Sequence, residues 1–329
     1  MKSKFRNLFL AFGILAVIIM LFTFDVSYDE LLDNLRRAGF YLPLVLVLWL
    51  FIYLINTLSW YIILRSSGPV NSLSFARLYK FTVSGFALNY VTPVGLMGGE
   101  PYRIMELTPY VGVERATSSV ILYVMMHIFS HFCFWLSSVL IYVFFYPVGW
   151  GMGIVLGLTT LFCLLLVTLF IKGYRNGMAV ACVRLGSHIP FLKKRAVRFA
   201  ELHKEKLETI DSQIALLHQQ RKSTFYLALG LEYTARIVGC LEVWLILNVL
   251  TTDVSFVGCI LIVAFSSLLA NLLFFLPMQL GGREGGFALV VAGLSLSGAY
   301  GVFAALITRV REMVWIVIGL MLMKIGNQK

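Results

Sequence analysis

Long, predominantly apolar runs, each long enough to cross a bilayer, constrain this chain more than any other feature. A helix needs about 20 apolar residues to cross roughly 30 Å of hydrocarbon. Composition agrees, since 60% of the residues are hydrophobic and 13% are charged, against about half and a quarter in soluble domains. The sequence therefore predicts an all-α polytopic membrane protein, a helical bundle in a single transmembrane domain over residues 1–329. The predicted spans are residues 8–24, 42–64, 117–146, 150–171, 223–250 and 301–323.

Basic residues orient these spans, because Lys and Arg in short loops favour the cytoplasmic side. Those within residues 1–7 and 324–329 place both termini in the cytoplasm. The polar segment 172–222 contains eleven Lys and Arg against four Asp and Glu, a difference of +7 out of +11 for the chain. We predict that it is a basic cytoplasmic amphipathic segment, which lies on the inner membrane face or caps the bundle. The expected location is the cytoplasmic (inner) membrane, with multiple spans.

Two further apolar stretches are interrupted by proline and glycine. With the flanking spans oriented as above, residues 65–116 begin and end on the cytoplasmic side, and residues 251–300 begin and end outside. Each region must enter the membrane and return, so the sequence predicts re-entrant broken-helix hairpins at 75–112 and 255–298. Proline and glycine supply the breaks in the helices. The predicted hinge residues are Pro93, Gly98, Gly99, Pro277, Gly281 and Gly282.

The two units of span, hairpin and span are similar to each other and opposite in orientation. Repeat one covers residues 42–146 and repeat two covers 223–323, and a glutamate follows seven residues after Pro93 and seven residues after Pro277. This is the inverted-repeat plan of many secondary transporters. Hairpin tips that enter from opposite faces meet near the midplane. The amides and the positive dipole end at the start of each half-helix suit an anion there, for example a phosphate.

Charged side chains accompany this predicted centre, five positive and four negative. They are Glu100, Arg103, Glu232, Arg236, Arg283, Glu284, Arg309, Arg311 and Glu312. Each would cost about 3 kcal/mol if left alone in the membrane, so most must pair, and the surplus of +1 favours an anionic guest. The alternatives are a local ion pair between Glu232 and Arg236, four residues apart, and a position near an aqueous edge for Arg311 and Glu312. The predicted substrate-binding residues are Glu100, Arg103, Arg283, Glu284, Arg309, Glu312, Glu232 and Arg236.

His127 and His131 share one helix face, four residues apart. Packing or a hydrogen bond is the favoured interpretation, and a proton relay is the alternative. No metal, cofactor or catalytic residue is predicted, because no Walker loop, dinucleotide fingerprint or nucleophile and base order is present. The basic segment lacks aromatic interleaving, so nucleic acid is not an expected partner.

Two stretches, NYVTPVGLMGGEPYRIMEL and NLLFFLPMQLGGREGGFAL, resemble the signature stretches of the lysylphosphatidylglycerol synthase transmembrane region, a flippase-like membrane family. Arg309 in ALITRVREMVW resembles the arginine in that family's last span. One stretch departs from the pattern, since ILYVMMHIF stands where an acidic residue or an arginine is expected early in the span 117–146. The resemblance implies a lipid-handling membrane domain of bacteria and archaea. It also implies that synthase activity, which needs a separate soluble domain, is not expected.

These observations predict a flippase-like lipid translocase that moves an anionic or modified phospholipid, or a polyprenyl-phosphate lipid, across the cytoplasmic membrane. Arg103, Arg283 and Arg309 would bind the head-group phosphate, and Glu100 and Glu284 would pair with them in the empty state. No ATP site is visible, so transport would be passive or ion-coupled.

Two alternatives remain open. One is a membrane enzyme or subunit that modifies a lipid head group, with Glu100 or Glu284 as general base. The other is a scaffold that recruits a partner through residues 172–222. Membrane lipids are the expected partners, and a homo-oligomer or a lipid-modifying partner enzyme is open as well.

Overall fold

The computed structural model describes residues 36–70, 73–91, 98–176, 205, 208, 212, 222–272, 282–294 and 296–324, with the backbone alone at 172–176 and 282–284. Several predictions therefore lie outside the described residues. They concern the span 8–24, most of the basic segment 172–222, the hinge residues Pro93, Pro277 and Gly281, and the side chains of Arg283 and Glu284.

The described chain is helical and contains no strand, which confirms the predicted all-α class. The first set of helices comprises α1 Tyr41–Ser66, α2 Phe75–Val91, α3 Gly99–Val111 and α4 Val113–Phe145. α5 Trp150–Asn176 follows it. The second set comprises α6 Lys222–Leu247, α7 Phe256–Leu272, α8 Gly282–Gly293 and α9 Gly298–Lys324.

Three helices of the described residues are both long and apolar enough to cross a membrane, namely α1, α4 and the part of α5 at Trp150–Ile171. α6 and α9 have 26 and 27 residues, about 40 Å at roughly 1.5 Å per residue. Besides Lys222 and Lys324 at their ends, they carry six charged side chains in their interior, which are Glu232, Arg236, Glu242, Arg309, Arg311 and Glu312. All of these except Arg236 are buried. The charges therefore face other helices rather than lipid.

The helices on either side of the proline and glycine breaks are short. α2 and α7 have 17 residues each, and α3 and α8 have 13 and 12. These lengths correspond to roughly 18–26 Å, less than the ~30 Å of a hydrocarbon core. α3 begins at Gly99 and α8 at Gly282, so each helix starts at the glycine pair that the sequence marks as a hinge. The re-entrant path of the two pairs stays a prediction.

The two sets of four helices pack in the same pattern. α1 packs against α6, α2 against α9, and α7 against α4. Within the sets, α2 and α4 both contact α3, as α7 and α9 both contact α8. Exchanging α1–α4 with α6–α9 leaves this pattern unchanged, which is the result expected of an internal two-fold repeat. The repeat itself and the opposite membrane orientation of the two sets stay predictions.

α2 and α9 approach each other closely at Gly319. The Ser84 hydroxyl of α2 donates a hydrogen bond of 2.8 Å to the Gly319 carbonyl. A Cβ added at Gly319 would lie 2.5 Å from Ala87 Cβ and 3.0 Å from the Val83 carbonyl oxygen. Small residues allow membrane helices to come this close without a hydrophobic driving force between them.

We expect Gly319→Val to destabilise the protein by about 1–3 kcal/mol, because overpacking forces neighbouring backbone apart. Thermal unfolding in detergent, followed by tryptophan fluorescence, measures the change. Gly157→Val is the matched control, since Gly157 is an exposed helical glycine on α5 with nothing within 4 Å of an added Cβ. Equal unfolding temperatures for the two variants would contradict the close crossing of α2 and α9.

Candidate functional site

Asn89 connects the end of α2 to the start of α3. Its side-chain oxygen accepts a hydrogen bond of 2.6 Å from the Gly99 amide, and its side-chain nitrogen donates one of 2.9 Å to Glu100 Oε1. Gly99 has no room for a side chain, because an added Cβ would overlap the Gly85 carbonyl. Glu100 lies in the first turn of α3, where a carboxylate is favoured by the helix dipole. The start of α3 is thus fixed against α2.

Arg103 lies one turn further along α3 and is 1% exposed. Its Nη1 is 3.4 Å from Glu100 Oε1, and its Nη2 donates a hydrogen bond of 3.3 Å to the Thr82 carbonyl. Arg103 Nε and Glu100 Oε2 have no hydrogen-bond partner within the described part of the chain. The Arg103–Glu100 contact is therefore a single, long interaction that leaves donor capacity on the guanidinium.

Aromatic rings surround the Arg103 guanidinium. Its central carbon lies 4.8 Å from the ring centroid of Phe86, 5.3 Å from that of Tyr123 and 6.0 Å from that of Trp60. Cation–π contacts of this kind stabilise a desolvated cation. Gly85 makes room for the side chain, since an added Cβ there would overlap Arg103.

Arg311 on α9 is held differently, by two parallel hydrogen bonds to Glu242 on α6. Its Nε and Nη2 donate to Glu242 Oε1 and Oε2 at 2.9 and 3.0 Å. Trp49 Nε1 also donates to Glu242 Oε2 at 2.8 Å, and the Arg311 guanidinium carbon lies 3.7 Å from the Trp49 ring centroid. Arg311 Nη1 lies 3.7 Å from Glu312 Oε1. Both Arg311 and Glu312 are buried within the protein, and the alternative that they lie near an aqueous edge of the membrane stays a prediction.

Glu242 was not among the predicted site residues, although a lone carboxylate within the apolar stretch CLEVWLIL was a visible signal. Including it changes the charge of the centre. There are then five arginines and five glutamates, so the predicted surplus of +1 is corrected to zero when the histidines are neutral. The surplus charge of the side chains therefore no longer argues for an anionic guest.

Glu232 on α6 is buried between α1 and α4. Its Oε2 accepts a hydrogen bond of 3.0 Å from Asn56 Nδ2 and lies 2.8 Å from His127 Nδ1. Its Oε1 has no hydrogen-bond partner among the described residues. The predicted hydrogen-bond role of His127 is therefore present, with Glu232 as its partner.

Arg236, one turn along α6 from Glu232, donates to α4 instead. Its Nε bonds Ser130 Oγ at 2.6 Å and its Nη2 bonds the His127 carbonyl at 2.6 Å. The alternative of a local Glu232–Arg236 ion pair is therefore not what this structure contains at these two described residues. The interface between α4 and α6 supplies each of them with a different partner.

The aromatic side chains of Phe86 and Tyr53 connect the groups around Arg103, Glu232 and Arg311. The Phe86 ring lies 5.6 Å from the His127 ring, 5.4 Å from the Tyr53 ring, and directly beside Arg103. The Tyr53 ring lies 5.4 Å from that of Trp49, which contacts Arg311. The residues around Arg103, Glu232 and Arg311 thus form one region, which we call the polar centre. α1, α2, α3, α4, α6 and α9 all contribute to it.

The remaining predicted site residues are located as follows. Arg309 is buried on α9, two residues before Arg311. Gly98 directly precedes α3. Arg283 and Glu284 lie in the first turn of α8, and their side chains are outside the described part. The structure therefore brings Glu100 and Arg103 together, and Arg311 and Glu312, without testing a role for any of them.

Comparisons with known proteins agree with these features. No solved structure matches the chain. A UPF0104 membrane protein of the archaeon Methanothermobacter thermautotrophicus is 23% identical over 323 residues, which cover 95% of this chain and 92% of that protein. The family model of the lysylphosphatidylglycerol synthase transmembrane region matches residues 8–319. This match spans both sets of helices and the polar centre, and the chain belongs to the lysylphosphatidylglycerol synthase transmembrane-region family.

Proposed function

We propose that the protein translocates lipids with an anionic or modified head group across the cytoplasmic membrane, and that Arg103 binds the head-group phosphate. The observation that carries this proposal is the incomplete pairing of Arg103, which is fully buried yet meets Glu100 through one contact of 3.4 Å. A guanidinium can hold a phosphate through two parallel hydrogen bonds. A phosphate would therefore displace Glu100 with a gain in hydrogen bonding.

The contrast with Arg311 supports this assignment. Arg311 already makes two parallel hydrogen bonds to Glu242, so its binding capacity for a guest is largely used. Arg103 lies one turn from the start of α3, where the positive end of the helix dipole also favours an anion. A phosphate beside Arg103 would be attracted by the side chain and the helix end together, even though the side chains of the centre sum to zero.

The repeated packing pattern supports a transport mechanism. α8 begins at a second glycine pair, with Arg283 and Glu284 in its first turn. In the proposed mechanism the two short helix pairs are re-entrant hairpins that open in turn, so that a head group passes between Arg103 and Arg283. Discontinuous helices at a repeat interface are the usual site of substrate in inverted-repeat transporters.

The family supports a lipid as substrate, because its name describes the membrane region of a protein that makes an aminoacylated phospholipid. The head group of such a lipid combines a phosphate with a cationic amine. Glu100 is suited to the amine once the phosphate occupies Arg103, since both groups lie at the start of α3.

The distribution of basic residues supports the proposed orientation. Arg115 at the start of α4 donates hydrogen bonds to the carbonyls of Leu64 and Pro69 at 2.9 and 3.0 Å, so the end of α1 and the start of α4 lie together. Arg65 and Arg77 lie in the same region of the chain, at the end of α1 and the start of α2. From the positive-inside rule, we expect this end of the bundle to be cytoplasmic.

The test is a head-group survey in liposomes. We expect liposomes that contain the purified protein to expose fluorescent phosphatidylglycerol from both leaflets to a membrane-impermeant quencher, whereas protein-free liposomes protect the inner leaflet. Fluorescent phosphatidylcholine carries a cationic choline group beside the phosphate. Its translocation rate, compared with that of phosphatidylglycerol, measures how well the protein accepts this cationic group. Inner-leaflet protection with every lipid, together with head-group modification by the protein in detergent, would replace translocation by the enzyme alternative.

A further inference from the structure

Glu232 and His127 are both titratable, and one hydrogen bond joins them. Glu232 is 1% exposed. His127 Nδ1 and Asn56 Nδ2 both contact its Oε2, at 2.8 and 3.0 Å. The hydrogen bond between His127 Nδ1 and Glu232 Oε2 needs one proton between the two atoms, and the neutral Nδ1–H tautomer of His127 can supply it to an ionised Glu232. A further proton removes the net negative charge of the buried pair, and the pair is then either neutral or an ion pair.

That proton sets the charge of the polar centre. The described charged side chains, four arginines and four glutamates, sum to zero with the histidines neutral, so they carry a charge of +1 with the further proton and zero without it. A guest with one negative charge would restore neutrality in the protonated state. An anion and a proton therefore favour each other's binding, and this coupling is reciprocal.

The surroundings of the pair allow such coupling. Tyr123 lies on α4 one turn before His127, and its ring centroid is 5.3 Å from the Arg103 guanidinium carbon. Charged and titratable groups on α3, α4 and α6 face the pair, namely Arg103, Glu100, Tyr123, His131 and Arg236. Arg311 and Glu312 of α9 and Glu242 of α6 lie beyond Tyr53. α1 and α2 contribute the uncharged side chains of Asn56 and Phe86, and Ser267 of α7 accepts a hydrogen bond from Trp135.

His131 lies on α4 one turn beyond His127. Its ring lies 5.6 Å from the His127 ring and 5.5 Å from the Trp135 ring. Its Nδ1 is buried without a hydrogen-bond partner among the described residues. Imidazole can accept a proton on one nitrogen and release it from the other, so His127 and His131 form two steps of a path toward the Phe145 end of α4.

We propose that Glu232 and His127 form a proton-binding site, that His131 connects it toward the far end of α4, and that one proton accompanies each anionic head group through the polar centre. This proposal rests on the proposed translocation and adds its coupling ion.

Transport with and without a pH gradient is the first test. The full chain in liposomes moves fluorescent phosphatidylglycerol, and the measured quantity is the ratio of the rates with and without an imposed gradient of one pH unit. We expect a ratio of several-fold for the wild type and a ratio near one for Glu232→Gln and His127→Gln. Tyr233→Phe is the matched control, because it removes another α4–α6 hydrogen bond, of 2.8 Å to Ser137, and should keep the wild-type ratio. A wild-type ratio of one, or a gradient effect that survives in both site variants, would overturn the coupling and leave translocation standing.

A second measurement decides the proposal even if no lipid moves. A protonated imidazole quenches a neighbouring indole, so the part of the fluorescence that Trp135→Phe removes reports the proton on His131. We expect soluble dihexanoyl phosphatidylglycerol to raise the midpoint of this titration by about one pH unit, a tenfold linkage. We also expect Glu232→Gln to abolish the shift. An unchanged midpoint in the wild type would refute the proposed coupling of the anion to the proton path through His131, independently of any transport result.

Discussion

Arg103→Ala is expected to slow the translocation of fluorescent phosphatidylglycerol by about 10- to 100-fold. Hydrogen bonds to charged groups contribute roughly 1.5–3 kcal/mol, and about 1.4 kcal/mol corresponds to a factor of ten. Arg103 is a buried arginine whose contact with Glu100 is single and long, at 3.4 Å, and whose Nε has no hydrogen-bond partner among the described residues, so donor capacity remains for a phosphate. The rate of loss of inner-leaflet protection in liposomes measures the effect.

Arg103→Lys separates charge from geometry at the same position. Lysine keeps the positive charge but cannot make two parallel hydrogen bonds, and it stacks less well between the rings of Phe86 and Tyr123. We therefore expect an intermediate rate. Arg65→Ala is the matched control, because Arg65 is an exposed arginine at the end of α1 whose side chain contacts Tyr61. A wild-type rate for Arg103→Ala, at unchanged thermal stability, would exclude Arg103 as the phosphate ligand.

The helices themselves were predictable from the apolar runs. The span 42–64 corresponds to α1 Tyr41–Ser66, and the span 117–146 corresponds to α4 Val113–Phe145. The observed helices differ from the runs by one to four residues at most of their ends, because a helix continues into polar residues where no hydropathy signal marks its end. The all-α class and the family followed from the same runs and the two glycine-rich stretches.

The pairing of the charges was not predictable, because it depends on which helices become neighbours. Glu232 and Arg236 have the spacing of a local ion pair, yet α4 supplies both with other partners in His127 and Ser130. Gly85 gave no signal either, since its role appears only when Arg103 is packed against it. Spacing along one helix shows which side chains share a face, whereas the partner on that face comes from tertiary structure.

Glu242→Ala is expected to be the most destabilising single change in the polar centre, by about 3–5 kcal/mol. It leaves Arg311 buried with a single, longer contact of 3.7 Å to Glu312, and an uncompensated buried charge has this order of cost. It also removes the acceptor of Trp49 Nε1, which is 2.8 Å away. Thermal unfolding in detergent, followed by size-exclusion fluorescence, measures the loss.

The double variant Glu242→Leu with Arg311→Met tests whether this pair is structural. Replacing a buried ion pair by apolar side chains of similar size is often neutral or stabilising, so we expect the double variant to recover most of the stability that Glu242→Ala loses. Because Arg311 makes two hydrogen bonds to its carboxylate partner and Arg103 makes one long contact to its own, the double variant should also translocate phosphatidylglycerol at the wild-type rate, whereas Arg103→Ala slows it. A stable double variant without transport would instead assign the phosphate to Arg311, and the incomplete pairing of Arg103 would then have no role in binding.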